Sequence, residues 1–482
     1  MSDPVGAALP APEGSAAAVF RNRPFLLLWL SQLATQVGGN MVLYGLTVLV
    51  YGATASSSAV SILILTYLTP AVVFSALAGV YVDRFDRRQV LVVTNLLRFV
   101  LFLSLALLDA NILAVFVLNV LVSIVTTFFA PAELSMIPLV VPRAQLTAAN
   151  GIFTLTLNAA FAIGFTVMGP LVVSVANPTV LVVAVAALYL LAAGFCWTLP
   201  PGPPGMVPHG AALHEAEAAV GSFVSQFREG MAYVREHPVV SWALLYLGIA
   251  ASIVGVLGVL GPGFAEAVLG LRPKDFVVIV LPLGVGVVTG ALTVNALQAL
   301  ISRRRLIELG LVALGVCLGG ISIAGPIAQF ARDVNDAVPG PDLSAFVSIL
   351  TVVVAIAFVA GIAYAAVAIP AQTELQAEIP EAVRGRVFGI LNMLVSVGSF
   401  LPIIIVGPIA DLVGTMPVVL AAAALILLVG VLSLAVRDRR AGAPAGVPAA
   451  PPGGPAPLPE APTLRAGGPA PTALPGPSPE EP

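Results

Sequence analysis

Apolar runs of membrane-spanning length follow one another along nearly the whole chain. A helix that crosses a bilayer needs about 20 apolar residues, within a range of roughly 17–25. Runs of that kind lie near 24–51, 57–82, 89–108, 111–131, 149–176 and 179–199. After a gap they resume near 239–262, 275–301, 306–330, 344–370, 386–411 and 415–436. Inside lipid each backbone polar group must be satisfied within its own segment, so such runs fold as helices. The expectation is an all-α membrane protein with twelve transmembrane helices in two pseudo-symmetric six-helix bundles. Charge supports this reading. Only 9% of the 482 residues are charged, against about 25% in soluble domains, which leaves too little polar surface for a water-soluble chain of this size.

The segments outside the runs set the domain boundaries. Residues 1–19 are expected to be a disordered N-terminal tail. They contain Asp3 and Glu13 and no basic stretch, and the first apolar run is too long for a signal-peptide core, so it reads as a retained span. The first bundle covers 20–199 and the second 238–437. Between them, 200–237 reads as a central loop that opens with Pro200, Pro201, Pro203 and Pro204. Its second part, with Phe223, Phe227, Met231 and Val234 on one face, predicts an amphipathic helix. The Pro- and Ala-rich tail, 438–482, cannot bury a core and is expected to be disordered.

Arginine placement predicts orientation. With the N-terminus inside, 17 basic residues fall on the inside and three (Arg272, Lys274 and Arg332) on the outside, while Arg98 lies within a span. Both termini and the central loop are therefore expected in the cytoplasm, in a cell inner (plasma) membrane. No basic domain exists, which argues against a nucleic-acid partner. Cys196 and Cys317 sit in apolar runs and imply no disulfide framework. The histidines, His209, His214 and His237, have no zinc-ligand spacing, and no Walker lysine or phosphate loop occurs. The expectation is no enzyme, no metal site and no cofactor.

An internal repeat links the halves. Residues 142–170 align with 380–408 at an offset of 238: Pro142 with Pro380, Gly151-Ile152 with Gly389-Ile390, and Gly169-Pro170 with Gly407-Pro408. The offset is not constant, and the longer loop at 331–343 would absorb the difference. Repeated halves with a substrate site between them are how many secondary transporters are built.

Between the second and third spans stand Gly79, Asp83, Arg84, Arg87 and Arg88 in the order G-x-x-x-D-R-x-x-R-R. This loop resembles the signature loop of the major facilitator superfamily. The resemblance implies a gate, in which the loop latches the two halves on the cytoplasmic side by contact with the eleventh span. Asp86 stands where that family often has Gly. Shorter pieces, FFAPAELSMIPLVVPRAQLTAANGI, FREGMAYVREHP and PEAVRGRVFGI, are similar to macrolide-efflux-type drug antiporters. Gly169-Pro170 falls where antiporters of the superfamily carry a glycine-proline motif, with Gly164 one residue further upstream than usual. This narrower resemblance implies export of amphipathic small molecules in exchange for protons.

Polar side chains inside the spans are the candidate machinery. Gln32, Gln36, Asn40 and Tyr44 recur every four residues and form one polar face of the first span. They read either as substrate contacts or as helix–helix hydrogen bonds. Asn40 stands where the resembled antiporters often carry an acid, and it cannot titrate. Asn119 and Ser123 in the fourth span, Trp242 and Tyr246 in the seventh, and Tyr364 in the tenth would complete a cavity. Arg98 lies roughly 15 Å deeper than Arg88 at 1.5 Å per residue. A charge near midplane costs at least about 2.5–3.5 kcal/mol, so it is a functional candidate, with a structural tie between helices as the alternative. No acid is expected at its depth. Glu133, Glu308, Glu374 and Glu378, read near the cytoplasmic ends of their spans, are the proton-coupling candidates, with interfacial ion pairing as the alternative. The chain reads as a monomeric secondary transporter, with a lipid-related uncoupled facilitator and a non-transporting scaffold as alternatives.

Overall fold

A computed structural model describes residues 16–82, 84–107, 111–201, 225, 228, 231–323, 349–378 and 384–441. Its helices follow the apolar runs: α1 (Arg23–Thr54), α2 (Ser57–Val82), α3 (Arg87–Leu107), α4 (Ile112–Val140), and α5, which joins Leu146–Phe161 to Gly169–Val175 through a π-helical turn at Ala162–Met168. Then come α6 (Pro178–Trp197), α7 (Pro238–Ala267), α8 (Val277–Leu300), α9 (Arg303–Ser322), α10 (Ile349–Glu378), α11 (Arg384–Val413) and α12 (Thr415–Ala441). Twelve spans and an all-α fold are as expected. Among the described residues, eleven helices are long and apolar enough to cross a membrane, and α11 contributes the shorter apolar stretch Gly398–Val413.

Local chemistry sets several helix starts. Asn22, Asn111 and Asn177 each accept a hydrogen bond from a backbone N–H three residues on, opening α1, α4 and α6. An asparagine cap satisfies one of the orphan N–H groups of the first turn. Pro24 and Pro178 occupy the first turn, where a missing N–H costs nothing. Asn22 also donates through Nδ2 to the Val140 carbonyl at 2.6 Å, tying the start of α1 to the end of α4.

Some boundaries differ from the sequence expectation. The fourth span does not stop near 131: α4 runs through Pro131 and Pro138 to Val140. Membrane helices tolerate proline where neighbours cover the freed carbonyl. Likewise α10 continues through Pro370 to Glu378. Residues 16–19 are not a free tail. Ala16–Phe20 is helical, Val19 is fully buried, and the Phe20 ring packs edge-on at 5.0 Å from Trp29. In the central loop, Met231–Glu236 is helical, and Tyr233 and Val234 pack against Val240, Ala243 and Leu375. Phe223, Phe227, Pro203, Pro204 and the segment 331–343 lie outside the described residues. Met1–Ala435 forms one compact unit and Val436–Pro482 a second. Within the second only the end of α12 is described.

The first unit buries its core between helices and turns apolar side chains outward. Leu107, Val175, Leu292, Leu300 and Leu412 are all at least three-quarters exposed. A large exposed aliphatic surface is unfavourable in water and neutral in lipid. The largest core cluster draws on both halves: Tyr44, Leu46 and Tyr51 from α1 with Val259 and Phe264 from α7, Phe276, and Ile403 from α11. A second cluster lies wholly in the first half around Phe25, Leu91, Met136 and Cys196, and a third in the second half around Tyr246, Leu311 and Ile426.

The π turn in α5 explains the shifted glycine. The Gly169 N–H reaches the Gly164 carbonyl five residues back, so one extra residue is absorbed there. Both glycines then face α1. A Cβ on Gly164 would meet the Val37 carbonyl at 2.6 Å and the Asn40 Cβ at 2.8 Å, and one on Gly169 would meet the Tyr44 Cβ at 3.0 Å. The repeat partner Gly407 packs across the halves instead, where a Cβ would strike Ser61 Oγ and the Ser57 carbonyl of α2.

Candidate functional site

Several hydrogen bonds among the described residues join the two halves at the arginine-poor face, which holds the α1–α2 turn, Lys274 and the end of α11. There Asp411, in the last turn of α11, accepts from the Ser57 N–H at 2.7 Å, the Ser58 N–H at 3.0 Å and the Ser56 hydroxyl at 2.7 Å. One turn deeper, Ser61 donates to the Ile403 carbonyl at 2.8 Å. Tyr44 of α1 is fully buried, donates to the Lys274 carbonyl at 2.9 Å, and stacks on Phe276 at 4.7 Å. Thr166 in the π turn fills the gap left by Gly284 of α8. Small residues let backbones approach closely enough for such contacts.

A buried polar cluster lies inside the first half. Arg98 of α3 is 2% exposed. Its Nε donates to the Thr94 carbonyl at 3.3 Å and its Nη2 to Asn95 Oδ1 at 2.9 Å. The guanidinium lies between two rings, 4.3 Å from Phe129 and 4.7 Å from Tyr189. Cation–π contact strengthens once water is removed. Asn95 continues the chain to Cys196 Sγ at 3.7 Å, and Cys196 meets the Ser31 hydroxyl at 3.0 Å. One turn after Phe129, on the same face of α4, stands Glu133, 5% exposed. Its Oε1 is buried with no hydrogen-bond partner. It lies within electrostatic reach of Arg98, yet no ion pair within 4.0 Å joins the two. The expectation that no acid accompanies Arg98 is therefore corrected. Because α4 continues past Pro131, Glu133 falls inside the bundle rather than at an interface.

The second half carries a matching cluster at matching helices. Glu308 of α9 is fully buried. It accepts from Arg304 Nε at 3.1 Å and from the Ser433 hydroxyl of α12 at 3.1 Å. Ser433 meets the Tyr246 hydroxyl of α7 at 2.7 Å. Here acid and cation are paired, although Arg304 Nη2 is itself buried without a partner.

The remaining sequence candidates divide. Asn119 Nδ2 donates to the Leu63 carbonyl at 2.9 Å and to Thr66 Oγ1 at 3.0 Å, and Ser123 donates to the Tyr67 carbonyl, so both join α4 to α2. Gln32 is buried, with Nε2 at 3.5 Å from the Phe153 carbonyl and Oε1 unpartnered. Asn40 folds back to donate to the Gln36 carbonyl at 2.8 Å. Gln36, Trp242 and Tyr364 are half-buried. Trp242 and Tyr246 lie ring to ring at 5.8 Å. Glu374 is half-buried near the end of α10, and the Glu378 side chain lies outside the described residues.

In the signature loop, Gly79 falls in the last turn of α2 and Asp83 lies outside the described residues. Arg84 sits 5.9 Å from the Tyr81 ring and Arg88 5.6 Å from the Trp197 ring, while Arg87 begins α3. Asp86 accepts from the Arg88 N–H at 3.0 Å and so caps α3, a role Gly would not fill. The sequence reading missed Asp411. The one signal was an acid in the final turn of a helix, the position the helix dipole disfavours.

A sequence model of the Major Facilitator Superfamily matches residues 28–401. The chain is 24% identical over 421 residues to the uncharacterized MFS-type transporter YfiS of Bacillus subtilis (strain 168), which covers 86% of this chain and 94% of that one. It is 23% identical over 422 residues to the multidrug efflux pump Tap of Mycolicibacterium fortuitum, covering 85% of this chain and 95% of that one. Among solved structures, a bacterial homolog of the human lysosomal transporter Spinster, inward-facing and unoccupied, superposes with a TM-score of 0.63 at 16% identity over 87% of this chain and 97% of the other. The nucleoside transporter NupG superposes with a TM-score of 0.59 at 15% identity, over 85% of this chain and 99% of the other. This chain belongs to the major facilitator superfamily and is a multi-pass membrane transporter, not an enzyme.

Proposed function

We propose that the protein exports amphipathic small molecules across a bacterial inner membrane by alternating access, as a monomer, with protons as the coupling ion. The observation that carries the coupling is the buried, unpartnered carboxylate oxygen of Glu133 beside Arg98. A carboxylate in that setting gains a hydrogen-bonding proton when Arg98 is drawn toward other partners, and loses it when the guanidinium turns back. Each change alters which helices are tied together, which is what a coupling site has to do. The arginine-rich face is taken as cytoplasmic by the positive-inside rule. The halves are then joined at the outer face, and cargo enters from the cytoplasm.

Of the cargo candidates Gln36, Asn40, Trp242 and Tyr364 are half-buried, and because Asn40 folds back on its own helix, Gln36, Trp242 and Tyr364 are assigned to the cargo site. An amide and two amphipathic rings suit a cargo that is mostly apolar with a few polar groups. The similarity to a pump named for multidrug efflux supports the same class. In this reading Tyr44 belongs to the outer closure, and Asn119, Ser123 and Tyr246 hold helices together. Gly79, Asp83, Arg84, Arg87 and Arg88 latch the cytoplasmic side when the outside opens. Glu374 and Glu378 are secondary coupling candidates.

The test is accumulation of a panel of amphipathic drugs in a drug-sensitive host that makes the full chain. Lowered accumulation of some panel members is expected, and it should vanish when the proton gradient is collapsed. Unchanged accumulation across the panel, with the protein in the membrane, contradicts export. A second reading follows from Asn40, which cannot titrate. If export survives loss of the gradient, the protein is an uncoupled, lipid-related facilitator. A scaffold role requires the tail, so an activity that persists after removal of 441–482 excludes it.

A further inference from the structure

Asp411 is misplaced for its own helix. It stands in the last turn of α11, where the unsatisfied carbonyls already carry partial negative charge. An acid there is unfavourable unless something outside the helix compensates. The compensation comes from the other half of the molecule. The carboxylate takes the first two N–H groups of α2, from Ser57 and Ser58, together with the Ser56 hydroxyl. Ser56 in turn accepts from the Ala59 N–H at 3.2 Å. The start of α2 is thus capped in trans by a residue 354 positions away, with the positive end of one helix dipole on the acid of the other. Close packing backs the cap. Gly407 presses its Cα against Ser57 and Ser61, and Ser61 donates to Ile403.

The α2–α11 pair is antiparallel. Asp411 ends α11 and meets the start of α2 at the arginine-poor face. We propose that Asp411 is a gating residue: its carboxylate holds the arginine-poor face shut by capping α2 across the halves, and that cap must break each time this face opens. This rests on the alternating-access reading above. In that reading the halves rock about the middle, so this cap cannot be kept while the arginine-poor face is open.

The test reads the distance between the halves directly and needs no substrate. Spin labels at Ala53→Cys and Val413→Cys, both exposed positions flanking the cap, are placed on the full chain in lipid, where the native Cys196 and Cys317 are buried. The expected result is a dominant short distance in the parent, with the open-to-closed ratio raised about 5- to 10-fold in Asp411→Ala, the size of a lost helix cap. Asp411→Asn, which keeps one acceptor oxygen, should rise less, and Ser56→Ala, which removes one donor of three, least. Distance distributions that match the parent in both Asp411 variants overturn the proposal, as does a parent already dominated by the long distance. If the export panel fails while this graded shift appears, the gate stands and the cargo assignment falls. If export is found and no shift appears, the gate alone falls.

Discussion

Each half of the transporter threads a buried polar chain through its third, sixth and first helices, but the two chains end differently. In the first half it runs Asn95, Cys196, Ser31, and in the second Glu308, Ser433, Tyr246. The second is closed on itself: Glu308 has both Arg304 and Ser433, so protonating it would break an ion pair. The first holds a cation and an acid near each other that do not pair. Arg98 uses a carbonyl, an amide and two rings, and leaves Glu133 Oε1 bare. A buried polar group without a partner costs about 1–3 kcal/mol. The second half closes its buried acid with partners and the first leaves one bare, and the proposed function puts proton exchange at the bare one.

The largest way to break that comparison is Glu133→Gln. It should abolish gradient-driven export while leaving substrate exchange at zero gradient intact, measured by counterflow in vesicles. Gradient-driven export that persists would make the two acids equivalent. Next come the repeat glycines. Gly407→Val forces a side chain between the halves and should prevent closure of the arginine-poor face. Gly169→Val crowds Tyr44 within one half, with overpacking costs of about 1–3 kcal/mol in either case. Spin-label distances should change for Gly407→Val, and thermal stability in detergent for Gly169→Val. The reverse assignment would show that the repeat partners do not differ as their contacts imply. Third, Glu308→Gln should lower stability by about 1–2 kcal/mol, the scale of interhelical polar contacts in lipid, with coupling retained. A stable but uncoupled Glu308→Gln would move the coupling site to the second half. The smallest effect is expected from Tyr44→Phe, which removes one hydrogen bond across the closure worth about 0.6 kcal/mol. Export should change less than threefold, and a larger loss would place Tyr44 in the cargo site.

The fold is legible in the sequence because lipid leaves the chain few choices. Run length alone yields twelve helices, and Arg98 announces itself as a charge at depth. Its partner does not. Pro131 reads as the end of a span, which puts Glu133 at the membrane edge. Tertiary cover lets α4 run on to Val140 and carries Glu133 inside. The polar stripe of α1 is visible as a period of four, but not its division: Tyr44 reaches across to Lys274 while Asn40 bonds its own helix. Periodicity reports the face of a helix, not which neighbour covers it. Asp411 is invisible for the same reason, because its three donors lie 353 to 355 residues earlier. The odd spacing from Gly164 to Gly169 is in the sequence, and the π turn gives it a geometry.

The central claim is that the unpaired acid of the first half couples transport to protons and the paired acid of the second does not. The direct measurement is substrate-evoked proton flux into liposomes carrying the purified protein and an enclosed pH-sensitive dye, using a compound from the export panel. The prediction is flux with the parent and with Glu308→Gln, and none with Glu133→Gln, although that variant still exchanges substrate. Parent-like flux with Glu133→Gln, or flux lost only in a folded Glu308→Gln, would contradict the account.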